Sequence, residues 1–383
     1  MNASDQNKTY ELADGDVARY RRSLLTWYQE HKRDLLWRRS DDPYSVWISE
    51  MMLQQTQVTQ AEPFYERFMA QFPSVETLAR APLDDVLKAW EGLGYYARAR
   101  YLHRAAVQVV DQYGGRIPES ISEISILPGI GPYTAAAILS IAYHRDHAAV
   151  DGNVIRVLSR LYRIHEDATR GPAKRRFQKL ADGLLQKGQA ADFNQAMMEL
   201  GATVCQPQKP SCTVCPVQCH CRAFHELSDP SGLPYKPPKK ERPHHDHVAG
   251  VIKLDDKFLI IQRPLDGLLG GLWEFPGGRR RESESLTEGV TRTILESTGL
   301  TVKTDLALPT VTHAFTHFKI TLYGFYCAFI KGAAEALTCH DARWVSPTQL
   351  ADFAFSRAHN RLIDIMKKEA AKGQVEIFAS AAK

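Results

Sequence analysis

Five of the chain's seven cysteines fall between Cys205 and Cys221, and this crowding constrains the fold more than any other feature. Four of them follow the spacing Cys205-x6-Cys212-x2-Cys215-x5-Cys221, with Cys219 as an extra thiol inside the loop. The first ten residues are polar and lack a basic region followed by an apolar core, so no secretory signal is read there. A reducing, cytoplasmic setting is the expectation, and it disfavours disulfides and favours a metal or cluster site. Four thiolates can hold zinc or a [4Fe–4S] cluster, and spacing alone does not choose between them. One tight loop with a single Cys-x-x-Cys fits a cluster better than the two separated pairs of a zinc finger. Cys327 and Cys339 stand apart as ordinary thiols.

Around this loop the chain changes character once. Residues 17 to 225 carry apolar positions at helical spacing, as in Val86, Leu87, Trp90 and Leu93, with short Pro/Gly breaks between segments. Pro230 to Pro243 then holds five prolines together with Lys236, Lys239, Lys240 and Arg242, the composition of a basic extended linker. Beyond it the pattern turns strand-like over Val248 to Leu254 and Phe258 to Gln262. A helix is expected near 286 to 297, strands over 310 to 331 and 342 to 346, and a last helix at 356 to 370. The layout is an all-α domain over 1–226, a linker over 227–243 and a smaller α+β domain over 244–383. A length of 383 residues suits two or three cores. No apolar run reaches the roughly 18 residues of a membrane helix, so no membrane partner is expected. A net charge of +4 is compatible with a polyanionic partner without requiring one.

Three stretches of the helical part carry chemistry. Leu127-Pro128-Gly129-Ile130-Gly131-Pro132-Tyr133 joins two helical segments, and its glycines let backbone N–H groups at a helix start approach a phosphate. Taken alone, it is equally a plain helix–helix turn. Glu50 stands as a single acid among apolar neighbours in Ile48 to Leu53, where desolvation would raise its pKa and suit a general acid. An acid favoured by a helix N-terminus is the alternative there. Asp151 ends the apolar run Ala148-Ala149-Val150 at an Asp-Gly step, a common turn.

These segments together resemble the MutY family of adenine glycosylases, within the helix-hairpin-helix superfamily that includes endonuclease III. The cysteine spacing is similar to that superfamily's iron–sulfur loop, and Ser49 to Val58 and Val150 to Val154 resemble the two catalytic segments. The resemblance implies a [4Fe–4S] cluster on Cys205, Cys212, Cys215 and Cys221. It implies that Glu50 protonates adenine N7 and that Asp151 stabilises the sugar cation, supported by Asn153 and Tyr133. Bifunctional relatives carry a Schiff-base lysine at the position of Tyr133, so a monofunctional enzyme is expected. By the same likeness Gln55, Thr56, Leu93 and Tyr95 probe the duplex, and Gly129 and Gly131 hold its backbone. Trp37, Arg38 and Glu199 line the adenine pocket. Leu36 stands where the family usually has proline before the tryptophan, which puts the local turn in question.

Downstream, Gly270 to Gly278 leads into a sequence that resembles a Nudix box, keeping Gly278, Glu284, Arg292, Glu296, Gly299 and Leu300. Thr293 and Ser297 replace two of its acids. Hydrolysis of a diphosphate needs clustered carboxylates around Mg²⁺, so the fold is expected without the hydrolase chemistry. Phe315, Thr316 and His317 resemble the family's 8-oxoguanine recognition loop, with threonine for the usual serine. The expected partner is double-stranded DNA carrying adenine opposite 8-oxoguanine or guanine, bound by a monomer. The competing readings are a bifunctional endonuclease III-like glycosylase/lyase, a non-catalytic iron–sulfur DNA sensor and a nucleotide-pool hydrolase.

Overall fold

The helical periodicity becomes a succession of helices: α1 (Asp14–His31), α2 (Pro43–Leu53), α3 (Val58–Gln71), α4 (Val75–Arg80), α5 (Leu83–Ala89), α6 (Ala97–Tyr113) and α7 (Ile121–Ile124). It continues with α8 (Pro132–Tyr143), α9 (Gly152–Leu161), α10 (Gly171–Leu184), α11 (Ala190–Thr203) and α12 (Arg222–Glu226). The computed structural model describes residues 12–238 and 241–371. The polar first residues and the linker's Lys239 and Lys240 lie outside that range.

Two units cluster separately: Met1–Glu76 with Ala105–Lys239, and Thr77–Arg104 with Lys240–Lys383. Thr77–Arg104, which the sequence places in the helical part, clusters with the second unit. Within the second unit Lys88 donates to the Phe353 carbonyl, Gln262 to Asp84, and Arg100 to the Gly270 carbonyl. Such contacts join residues far apart in sequence and leave no periodic signal.

In the first unit α2 is buried from Tyr44 through Met52, because its residues are apolar on every side. Asp42 starts it by accepting from the Ser45 N–H, with Pro43 in the first turn. Helix α2 packs on α8, and α11 packs on α1, α8 and α9. A core of Tyr20, Leu24, Val157, Phe177, Phe193 and Leu200, among others, fixes α1, α9, α10 and α11 together.

The second unit holds a mixed sheet of β1 (His244–Leu254), β2 (Lys257–Gln262), β3 (Trp273–Glu274), β4 (Gly277–Arg279), β5 (Thr301–Ala307), β6 (Val311–Ala314), β7 (Lys319–Lys331) and β8 (Asp341–Val345). Strand β1 runs parallel to β7, and every other pairing is antiparallel. Helices α13 (Leu286–Thr298) and α14 (Arg357–Ala371) cover opposite faces. Val248 and Ile252 meet Val290 and Ile294 on one face, while Ala249 and Val251 lie with Leu362 and Met366 on the other. A Ser285–Glu288 capping box opens α13 and left-handed Gly299 closes it. Strand β5 is absent from the sequence reading because only Val302 of it is buried, so it shows no apolar pattern.

Candidate active site

Glu50 sits in the last turn of α2, not at a helix start, so an ordinary N-terminal acid is excluded. It is 6% exposed. Burial pushes its carboxyl up to about 7, Tyr133 opposes this by donating to Oε2, and the charge of Asp151 adds to the rise. The Tyr133–Glu50 bond is 2.6 Å long. Burial also holds the Tyr133 phenol far above its ordinary range, so it remains a donor.

Asp151 is placed differently. The stretch from His144 to Val150 has no regular structure, and Asp151 ends it as the N-cap of α9. Its Oδ1 accepts from the Val154 N–H at 2.7 Å and its Oδ2 from Asn153 Nδ2 at 2.6 Å. Burial raises this carboxyl too, but both bonds and the Arg156 charge favour its ionised form. One carboxyl is thus still about half protonated near pH 7 because an apolar helix buries it, and its neighbour is held by fixed donors.

Both acids line one cavity of about 630 Å³, with Tyr133 and Asn153 between them. Trp37, Arg38 and Glu199 form part of its wall. Leu36 does not disrupt the local turn: Leu36–Arg38 forms a single 3₁₀ turn, and Trp37 is buried edge-on against Tyr65. Glu199 is fully buried, and Arg33, which the sequence reading missed, donates to both its oxygens at 2.6 and 2.9 Å. Arg38 adds a bond of 2.8 Å. Burial pushes Glu199 up, but the two arginines outweigh it and keep the group ionised. Gln55, Thr56, Gly129 and Gly131 line the same cavity. Gln55 is exposed in a left-handed conformation (φ 58°), as is Gly129 (φ 79°), and nothing lies within 4 Å of a side chain added at Gly131.

Helix α9 also reaches the cysteine loop. Cys205, Cys212, Cys215 and Cys221 line a second, small cavity with buried Arg160, while Cys219 is exposed. Arg160 donates to Cys205 Sγ at 3.3 Å and to the carbonyls of Gln206, Pro207 and Leu233. Burial raises the Cys215 thiol to about 12, and the neighbouring sulfurs add to it. The four sulfurs line one space, although among the described residues no group of three or more Cys, His, Asp or Glu is gathered closely enough to hold a metal ion. One turn earlier, Arg156 donates to the Cys205 carbonyl at 2.8 Å and to Asn153 Oδ1 at 2.7 Å, linking the loop to the amide that holds Asp151. Of the basic residues near the loop, Lys209 is exposed and Arg222 is paired with Glu226.

In the second unit, Gly92, Gly94 and Tyr95 all take positive φ, and Arg98 donates to the carbonyls of Leu93 and Gly94. The loop presents Tyr95, which is 45% exposed. Leu93 is buried at 3% and packs within this loop. Tyr95 Oη lies 3.1 Å from Thr316 Oγ1. Thr316 and His317 are exposed, whereas Phe315 is half-buried and stacked on Phe318 at 4.7 Å. In α13 Thr293 and Ser297 are buried and donate back to helix carbonyls. Arg292 engages both oxygens of Glu284 and one of Glu296. The remaining acids of the box are thus neutralised by arginine.

The family description "HhH-GPD superfamily base excision DNA repair protein" matches residues 48–182, and "NUDIX domain" matches residues 247–364. An adenine DNA glycosylase of Rattus norvegicus is 35% identical over 92% of this chain and 79% of its own length. The chain belongs to the adenine DNA glycosylase family. The Homo sapiens member is 35% identical, covering 91% of this chain and 74% of its own, and the Schizosaccharomyces pombe member 32%, covering 91% and 90%. A solved thermostable thymine-DNA glycosylase overlays 55% of this chain and 98% of its own, at 29% identity and a TM-score of 0.51. The reaction class is hydrolysis of an N-glycosidic bond in double-stranded DNA, within base excision repair. Among the described residues no helix is long and apolar enough to cross a membrane.

Proposed function

We propose that this adenine DNA glycosylase removes adenine paired with 8-oxoguanine or guanine and leaves an intact abasic strand. The observation that carries the reading is the pairing of Glu50, raised to about 7 and bonded to Tyr133, with amide-bonded Asp151 in one cavity. Departure of a purine requires a proton on the base and a negative group beside the developing sugar cation. Glu50 is the donor, to N7, and then guides the attacking water. Asp151 stabilises the cation, and Asn153 and Tyr133 hold the two acids in place. Trp37, Arg38 and Glu199 enclose the extruded base, whose unstacking costs a few kcal/mol. Gln55, Thr56 and Tyr95 offset that cost by filling the stack, and Gly129 and Gly131 seat the phosphate backbone. Phe315, Thr316 and His317 read the opposite base, because a threonine hydroxyl accepts from the N7–H that 8-oxoguanine has and guanine lacks.

Cys205, Cys212, Cys215 and Cys221 would hold a [4Fe–4S] cluster, which cross-links the loop and supplies no step of the hydrolysis. Protein prepared anaerobically should be yellow-brown with about four irons per chain; stoichiometric zinc without iron would overturn this. The function is tested with a duplex holding one 8-oxoguanine·adenine pair. Strand cleavage should appear only after alkali, and borohydride should trap little protein on DNA. Glu50→Gln and Asp151→Asn should each lower single-turnover excision by roughly 10²-fold or more while the duplex still binds. Efficient trapping would establish a bifunctional enzyme, and binding with no released adenine a non-catalytic sensor.

A further inference from the structure

The segment that leads to Asp151 has no regular structure and belongs to no strand, although Ala148 and Ala149 in it are buried. Two side-chain amides bond it. Asn194 of α11 accepts from the Ala149 N–H through Oδ1 at 3.0 Å and donates through Nδ2 to the His147 carbonyl at 2.8 Å. Gln178 of α10 donates to the Ala148 carbonyl that lies between those two groups, at 3.0 Å. Three successive residues of the segment are thus bonded by side-chain amides two to four residues before the catalytic position.

Asn194 is 3% exposed, and its remaining donor contact is Ser140 Oγ of α8, at 2.9 Å. Helix α8 begins with the hairpin and Tyr133, whose hydroxyl holds Glu50. Helix α11 carries Glu199 five residues further on. One buried amide therefore bonds the segment leading to Asp151, the helix bearing Tyr133 and the helix bearing the pocket glutamate.

We infer that Asn194 is a positioning residue for excision, fixing Asp151 against Glu50 and Tyr133, with Gln178 of α10 holding the same segment at Ala148. This rests on the reading of Asp151 as the group beside the sugar cation. Asn194 touches no reacting atom. Its effect lies in placement, where a shift of about 1 Å can cost roughly 10²-fold in rate.

The test measures single-turnover excision of adenine from an 8-oxoguanine·adenine duplex, with active-site titration and duplex affinity measured on the same preparations. Asn194→Asp keeps the shape and the acceptor for Ala149 but sets a carboxylate against the His147 carbonyl. It should lower the rate constant at least roughly tenfold, with iron content and affinity at wild-type values. Gln178→Ala, at a half-buried site, and Ser140→Ala should each lower it by about two- to tenfold, the range for one lost hydrogen bond. A purely structural role predicts another pattern: fewer active chains, each with the wild-type rate constant. That pattern for Asn194→Asp would overturn the inference. Should that variant not fold, wild-type rate constants in both of the others would overturn it equally. Asp151→Asn is the control, since its retention of normal excision would sink the assignment of Asp151 itself.

Discussion

Replacing Glu50 by glutamine should abolish excision and yet stabilise the protein at alkaline pH. Burial raises the folded carboxyl from 4.5 to about 7. A group raised on folding contributes stability below its unfolded pKa, and that contribution is lost as pH rises through the folded value. Between about pH 4.5 and 7 the folded state therefore loses stability progressively, and above 7 it carries a buried charge. The linkage relation puts the loss near 1 kcal/mol at pH 5 and above 3 kcal/mol at pH 8.5, a difference of about 2 to 3 kcal/mol. Glutamine has no charge to bury, and its carbonyl can still accept from Tyr133. Comparing variant with wild type at both pH values cancels any pH-independent cost of the amide. For a unit of this size about 2 to 3 kcal/mol corresponds to roughly 5 to 10 °C in Tm. The assay is thermal melting of both proteins at pH 5 and 8.5, at one scan rate. The Tm difference should shift in favour of Glu50→Gln by that amount on going to pH 8.5. An equal difference at both pH values would refute the desolvation argument.

Other consequences are open to direct measurement. Tyr133→Phe removes a bond that favours ionised Glu50, so the alkaline fall in excision rate should move upward. A hydrogen bond to a charged group is worth about 1.5–3 kcal/mol, which predicts a displacement of about 1–2 pH units; a limb that stays or moves down would dissociate it from Glu50. Arg160→Gln leaves Cys205 Sγ and three carbonyls without their guanidinium, so iron should be lost faster to a chelator than from wild type. Thr316→Ala should lower the preference for 8-oxoguanine·adenine over guanine·adenine by about 1–3 kcal/mol, read from rates and affinities on the two duplexes. Deleting residues 244–383 is a less clean test, because Lys88, Glu91 and Arg100 lose partners in that region.

What the sequence reveals about this site follows from how local each determinant is. The hairpin, the cysteine loop and the Asp151 cap each sit in a few consecutive residues, and each is legible in order along the chain. Glu50 is legible as a lone acid in an apolar run, but whether it opened or closed its helix is not, because Asp42 and Pro43 set the start seven or more residues earlier. Arg33 could not be read, since the Glu199 it pairs with lies 166 residues away. Asn194 is hidden for the same reason: its partners lie 45 to 54 residues away, and two of the three are backbone groups, which carry no sequence signal. Leu93 has the opposite history, for its helical spacing with Val86 and Trp90 already supported the core position it occupies.

The arrangement along α9 explains why local and distant determinants must coincide. Asp151 caps this helix, Arg156 follows one turn on, and Arg160 another turn beyond. Because α-helical residues three and four apart share a face, a single helix aims Arg156 at Asn153 and the Cys205 carbonyl and Arg160 at the Cys205 sulfur. A rigid α9 then ties the position of its N-cap to the order of the cysteine loop. On the other side of Asp151, the last residues of the incoming segment are bonded by amides from α10 and α11. The carboxylate that meets the sugar cation is thus fixed from both directions by groups that contribute no chemistry of their own. Disordering the cysteine loop should accordingly lower the excision rate constant before it lowers duplex affinity through the hairpin, because the hairpin is seated on α8 and Asp151 on α9.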